Sequence, residues 1–339
     1  MKPIQLDFSR CPTLAYARDY TLDLIRRMEQ ALAPLAQVNS GVTSAIASGS
    51  IGRLEAMGHS DCDLMVIVDE DTAADPARAR AAMDVVWTAL EPLGIPLPKS
   101  SGIYSVPASQ AQICDHSTLG LVADDKNVFG KRLQFLLDAR PVFGRQAYED
   151  LIDGLLQRYA AGFLEYDPRK EWVTLLNDIL RYFRSYCVWH QYDLSFDPID
   201  SWFVRNAKLR NSRLLMFAAL ILLLGECSKE RKDKIGWMRE RLHLTPLERL
   251  QYVFDANGDG GMQRILPAYD RFLELLRSDA VREALIQTHP QTLKERHQTH
   301  LPAYEEMKDC SRVLMRELTR CVLDRRDDWS ERFFEYLLF

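Results

Sequence analysis

A chain of 339 residues is long enough for two domains at about 100–200 residues each. Its apolar share of 47% is enough for a real core, while a formal charge of −5 excludes a molecule built throughout as a polyanion binder, so any nucleic-acid surface must be local. Seven cysteines, odd in number and scattered without a Cys-x-x-Cys, argue against a disulfide framework or a zinc ribbon and fit a reducing compartment.

In chain order, Met1 to Asp7 holds no apolar signal core. Thr13 to Leu35 predicts a helix, because Leu24, Ile25, Met28, Leu32 and Leu35 recur at helical spacing and Pro34 lies near its end. Thr43 to Ala47 predicts a short strand running into Ser48-Gly49-Ser50. Asp63 to Val68 predicts a strand buried on both faces, since its apolar run is nearly continuous. Pro76 to Leu93 predicts a helix whose proline suits the first turn. Ile103 to Val106 and Ala111 to Cys114 predict weaker strands, and Val128 to Ala139 a helix.

Beyond Arg145 the strand signals stop. Tyr148 to Leu164, Arg169 to Gln191, Asp200 to Cys227, Pro246 to Phe254, Leu266 to Leu276, Leu301 to Val322 and Trp329 to Leu338 all predict helices. The most apolar run, Leu214 to Leu224, falls well short of the roughly 20 residues that span a bilayer, so it predicts a buried helix and the protein is expected to be cytoplasmic. The change of pattern near Phe143-Gly144 predicts an α/β domain over 1–145 and an all-α domain over 146–339.

The informative stretch is Ser48-Gly49-Ser50-Ile51-Gly52-Arg53, followed by His59-Ser60-Asp61-Cys62-Asp63-Leu64-Met65-Val66-Ile67-Val68. Asp61 and Asp63 stand two apart at the start of a strand, and the period of two puts both carboxylates on one face. Like charges held that close repel unless a cation sits between them, and carboxylates together with substrate phosphates suit Mg²⁺. Gly49 lets the backbone approach a phosphate, Ser50 can donate its hydroxyl and amide, and Arg53 can add charge. A capping Asp pair in a surface turn is the plainer alternative. The Gly-Ser loop before the pair and the buried strand after it favour a two-metal phosphoryl site.

The pattern Gly-Ser-x-Gly-Arg…Ser-Asp-x-Asp-Leu-x-Val-Ile-Val resembles the DNA polymerase β-like nucleotidyltransferase superfamily, nearest the branch of the uridylyltransferase of signalling protein PII. Leu136-Leu137-Asp138-Ala139-Arg140-Pro141-Val142-Phe143-Gly144 resembles that branch too. The resemblance implies a mixed sheet with helices, two Mg²⁺ ions, and a third carboxylate on a later strand. Asp115 is the candidate, with Asp124 and Asp125 as alternatives and a turn-capping role also open for Asp115.

In the helical half, Arg205, Lys208 and Ser212 share one face at 3.6 residues per turn, with Arg213 at its border. Such a face can hold triphosphate or an oligonucleotide backbone, or form an ordinary solvated basic helix. Asp178 and Arg181 are spaced for an intrahelical ion pair, and this helix is expected to tie helix to helix. Asp255-Ala256-Asn257-Gly258-Asp259-Gly260 imitates a calcium loop, but Leu266 stands where the bidentate Glu is required, so a polar loop is expected. His297 and His300 have no partner at clear zinc-ligand spacing.

Chain ends are normally polar, so the aromatic end from Trp329 to Phe339 is expected to dock on the protein's own core or on a dimer partner. Architecture and tail also resemble the nucleotidyltransferase of Hailong anti-phage systems. That likeness implies template-independent synthesis of single-stranded DNA oligomers from dATP or another deoxynucleoside triphosphate. Tyr336 would be the priming hydroxyl, and a membrane effector protein the restrained partner. Two alternatives stay open: transfer of a single AMP or UMP to a partner protein or small molecule, and a non-catalytic nucleotide sensor.

Overall fold

The computed structural model describes residues 4–58, 60–95, 102–121, 123–161, 171–192, 202–229, 231–288, 292, 294–295 and 300–338. Met1, His59, Leu164, Arg169, Asp200, His297 and Phe339 of the expectations above lie outside these residues. The chain forms two compact units: one of residues 17–178 and 230–245, the other of 1–16, 179–229 and 246–339.

The first unit is built on a mixed four-stranded sheet in the order β3-β2-β1-β4. Strand β1 (Val42–Ser48) runs antiparallel to β2 (Asp63–Val68) and to β4 (Arg140–Phe143), while β3 (Ala108–Ser109) lies parallel to β2. Both outer strands are blunted, as exposed edges require: β3 has two residues, and β4 carries Pro141, which cannot donate to a ladder. The expected strand at 63–68 is observed with those bounds.

Helix α1 (Pro12–Leu32) lends Leu24, Ile25, Met28 and Leu32 to this core. They pack with Ala45 and Ala47 of β1, Leu64, Val66 and Val68 of β2, and Met83, Val86, Trp87 and Leu90 of α4 (Pro76–Leu90). Between β1 and β2 lies the single turn α2 (Gly49–Gly52), and between β2 and α4 the short α3 (Glu70–Ala74). Met65 and Ile67, of opposite parity on β2, are buried as well, so the continuous apolar run does report cover on both faces.

The stretch expected as a strand at 111–114 is instead helix α5 (Gln110–Cys114). Ser109 and Gln112 form a reciprocal capping box, which satisfies two free donors and starts a helix before a ladder can form. Residues 103–106 form turns and bends rather than a strand. Helix α6 (Lys126–Leu137) leads into β4, and α7 (Arg145–Ala160) comes after it. Helix α8 (Val173–Tyr192) begins in this unit, where buried Asp178 accepts the Tyr159 hydroxyl at 3.0 Å and so ties α8 to α7. Helix α11 (Lys234–Leu242), which the sequence reading missed, returns to this unit through the buried Lys234–Glu171 pair at 3.0 Å.

The second unit is helical. Its centre is α10 (Leu214–Cys227), reached from α9 (Trp202–Lys208) through a π-helical turn at Leu209–Arg213. The unit also holds α12 (Pro246–Ala256), α13 (Met262–Arg277), α14 (Asp279–Gln287), α15 (Pro302–Leu323) and α16 (Glu331–Leu338), of which α12 and α15 pack on α10. Among the described residues no helix is long and apolar enough to cross a membrane. The loop resembling a calcium site is held by arginines: Asp259 accepts from Arg320 at 2.6 Å and Arg325 at 3.3 Å.

Candidate active site

The site is assembled where β1 ends and β2 begins. Their antiparallel register sets Ser48 opposite Asp63, so the last residue of one strand faces the first of the other. Along 61–63 the exposure alternates. Asp61 is exposed, Cys62 is buried and Asp63 is half-buried, so the two carboxylates share a face as the period of two requires. The Cys62 thiol beneath them is pushed up to about 12, by burial first and then by the charges of Asp63 and Asp61.

Gly49 occupies the left-handed region at φ +64°. A Cβ placed there would lie 2.4 Å from Asp63 Oδ2, so the loop backbone and the carboxylate are in close contact and only glycine fits. The next turn keeps Gly52 for a similar reason, since a Cβ would lie 1.8 Å from the carbonyl oxygen of Asp138. Leu54 then takes φ +61°, a conformation costly for a side-chain-bearing residue, and Glu55 N–H closes the loop onto the Ser50 carbonyl at 2.7 Å. The Ser50 hydroxyl makes no hydrogen bond among the described residues, and the residue is half-buried.

Asp138, at the end of α6, lies beneath this loop, its side chain fully buried. Its carboxylate accepts from Ser48 Oγ at 3.0 Å, from Gln134 Nε2 at 3.1 Å, from Arg53 Nη1 at 2.7 Å and from the Gly49 N–H. Burial pushes this carboxyl above the usual range, and the Arg53 charge with the hydrogen bonds pulls it back. Gln134 Nε2 also donates to Ser48 Oγ at 2.7 Å, and the Tyr104 hydroxyl stands 3.3 Å from the same oxygen.

Three of the expected site residues stand in surroundings other than those the sequence suggested. Arg53 does not stand open toward solvent as a phosphate ligand would. Its guanidinium is paired with Asp138 and, at 2.8 Å, with Glu55, and its side chain is only 11% exposed. Asp115 is not on a strand. It ends α5, fully exposed, where hydrogen bonds from Ser117 hold its carboxyl below the usual range, as in a turn. Among the described residues no group of three or more His, Cys, Asp or Glu side chains is gathered as a metal cage. Ser212 does not extend a basic face. The π turn widens the helix locally, rotates the turns after it, and leaves Ser212 buried with its hydroxyl bonded to the Lys208 carbonyl at 3.3 Å. Arg205 and Lys208 are half-buried on α9.

Asp61 and Asp63 do fit a hard divalent cation. They are oxygen donors of like charge on one face, partly open to solvent, beside a loop whose backbone comes close. Asp138, Gln134 and Tyr104 were missed as contributors in the sequence reading. The signal for Asp138 was its place in the stretch Leu136 to Gly144 that carries the resemblance, and nothing marked Tyr104.

Tyr336 lies on α16. Phe333 and Phe334 are buried there and Trp329 just before it, with Trp329 in edge contact with Phe333 at 5.4 Å and its Nε1 donating to Glu226 at 3.2 Å. Tyr336 itself is half-exposed, with the Arg332 guanidinium 5.7 Å from its ring.

Residues 15–113 match the model of a protein family described as "Putative nucleotidyltransferase DUF294". The matched stretch contains Gly49, Ser50, Asp61 and Asp63, and it supports a nucleotidyltransferase domain. No curated protein matches the chain.

Proposed function

We propose that this protein transfers a nucleotidyl group from a nucleoside triphosphate to a hydroxyl acceptor and releases pyrophosphate. The observation behind this reading is the placing of Asp63 against Gly49 at one end of the β1–β2 pair, with Asp61 two residues before it on the same face. Asp61 and Asp63 would hold the metal. Bound Mg²⁺ supplies neutralising charge for the triphosphate and acidifies an attacking hydroxyl. Ser50 offers its hydroxyl to a phosphate oxygen, and Gly49 leaves room for that approach. Arg53 acts one step behind, fixing the loop through Asp138 rather than touching phosphate.

For the acceptor, the reading is Tyr336 of the same chain, starting template-independent DNA oligomers from deoxynucleoside triphosphates in anti-phage defence. These oligomers would restrain a membrane effector. Its support is the arrangement of α16. The tail is anchored through Trp329, Phe333 and Phe334, while the Tyr336 hydroxyl makes no hydrogen bond among the described residues.

The test is incubation with Mg²⁺ and each labelled nucleoside triphosphate, then product sizing and peptide mapping. A ladder of adducts on Tyr336, absent in Tyr336→Phe, is expected. A single adduct, or label on an added protein or small molecule, would replace self-priming by single-nucleotide transfer. No pyrophosphate from any triphosphate would leave only a nucleotide sensor.

A further inference from the structure

Ser48 and Asp138 are 90 residues apart in sequence, yet the buried Asp138 carboxylate grips the phosphate loop at three points. It takes the Ser48 hydroxyl, the Gly49 amide and the Arg53 guanidinium. From Gly49 the contact passes on, because the Cα of that residue abuts the Asp63 carboxylate so closely that no Cβ fits between them. Ser48 is also the register partner of Asp63 across β1 and β2. Two paths, one through the loop backbone and one through the strand pair, therefore lead from Asp138 to Asp63.

We infer that Asp138 is a positioning residue for the metal site: it fixes Gly49, and Gly49 fixes the rotamer and place of the Asp63 carboxylate. Asp138 does not bind the cation itself. Its oxygens are buried, and the four donors already named converge on them. The acid expected as a third ligand on a later strand is thus replaced in this chain by an acid acting from behind the loop. Supporting groups of this kind hold metal ligands in productive geometry, and losing one typically weakens metal affinity about 10–100-fold. The inference rests on the reading of Asp61 and Asp63 as metal ligands.

The experiment measures Mn²⁺ binding to the full-length protein by electron paramagnetic resonance, with no nucleotide present, alongside circular dichroism and thermal melting. Asp138→Asn keeps the volume but turns two hydrogen atoms of its amide toward the incoming donors. It is expected to bind Mn²⁺ at least about tenfold more weakly, while Asp63→Ala binds less still. Gly49→Ala, which pushes on Asp63 directly with Asp138 in place, should show the same loss. If Asp138→Asn does not fold, Gln134→Ala and Arg53→Gln each remove one donor and should weaken Mn²⁺ binding in a folded protein. Lowered stability with unchanged Mn²⁺ affinity would make Asp138 a structural residue only and overturn the inference, as would wild-type protein whose Mn²⁺ binding ignores Asp63. Pyrophosphate release is scored separately. A wild type that binds Mn²⁺ through Asp63 but releases none refutes the transferase reading and leaves the positioning role standing.

Discussion

At the scale of single residues, the site is a balance of charges held close together. Asp61 and Asp63 sit on one face with the thiol of Cys62 turned inward between them. Removing one carboxylate relieves repulsion in the metal-free protein while taking away half of the oxygen donors. Asp63→Ala is therefore expected to abolish pyrophosphate release and leave the melting temperature unchanged or slightly raised. Turnover at the wild-type rate in this variant would remove Asp63 from the chemistry. The Asp pair and the glycine were legible in sequence because they depend on near neighbours. Arg53 was not, because its partner Asp138 lies 85 residues away and only the folded chain brings the two to 2.7 Å.

At the scale of elements, helix α6 shows how a stripe of side chains divides its duties. Lys131, Gln134 and Asp138 lie on one face at 3.6 residues per turn, and the last two hold the loop. Lys131 is 1% exposed and has neither a hydrogen bond nor an ion pair among the described residues. Burial draws its pKa down to about 8 from 10.5, against a weaker pull from Asp125. Below about pH 8 the ammonium is charged in both folded and unfolded chains, and the folded form bears the full burial cost. Between about 8 and 10.5 the folded form has lost its proton while the unfolded form keeps it, so stability rises with pH across that window. Lys131→Met should stabilise the protein at pH 7, by about 3 kcal/mol at most, and flatten the rise. Urea melts of both proteins from pH 7 to 10.5 read this out, and parallel curves would show that Lys131 carries no such cost. Helix α9 gives a second element-scale test. Arg205→Ala and Lys208→Ala should each weaken nucleotide or oligomer binding and lower its salt slope by about one. Unchanged affinity and slope in both would make that face structural.

At the scale of the whole molecule, the chain forms two compact units, and the aromatic end belongs to the helical one. Trp329 lies against Gly225, where a Cβ would stand 2.5 Å from its ring, and Ser330 N–H donates to Ser228 Oγ at 3.0 Å. Trp329→Ala should lower stability by about 3–5 kcal/mol in chemical denaturation, as for other buried aromatics. Tyr336→Phe keeps the apolar surface and should melt as the wild type does. If Trp329→Ala melts unchanged, α16 is not docked in solution as it is here. Order along the chain and order in space part company at this scale. Residues 4–16 group with the helical unit, and residues 231–245 with the sheet unit.

By itself, the sequence determined what periodicity and local chemistry can encode. β2 spans Asp63 to Val68 because an unbroken apolar run has no other stable use between two covered faces. The Gly-Ser turn and the Asp pair arise from steric and electrostatic needs within one strand–turn–strand stretch, Val42 to Val68. Only the tertiary structure decided the rest. Ala111 to Cys114 has the composition of a strand, yet the Ser109–Gln112 capping box, supported by Glu70 accepting from Ser109 Oγ at 2.6 Å, makes it a helix. Pro141 sits in a strand because that strand is at an edge. A π turn moves Ser212 off the face that its spacing promised. Asp138 becomes the anchor of the loop from Ser48 to Arg53 because folding buries its charge where four donors meet, a partnership that no local spacing records.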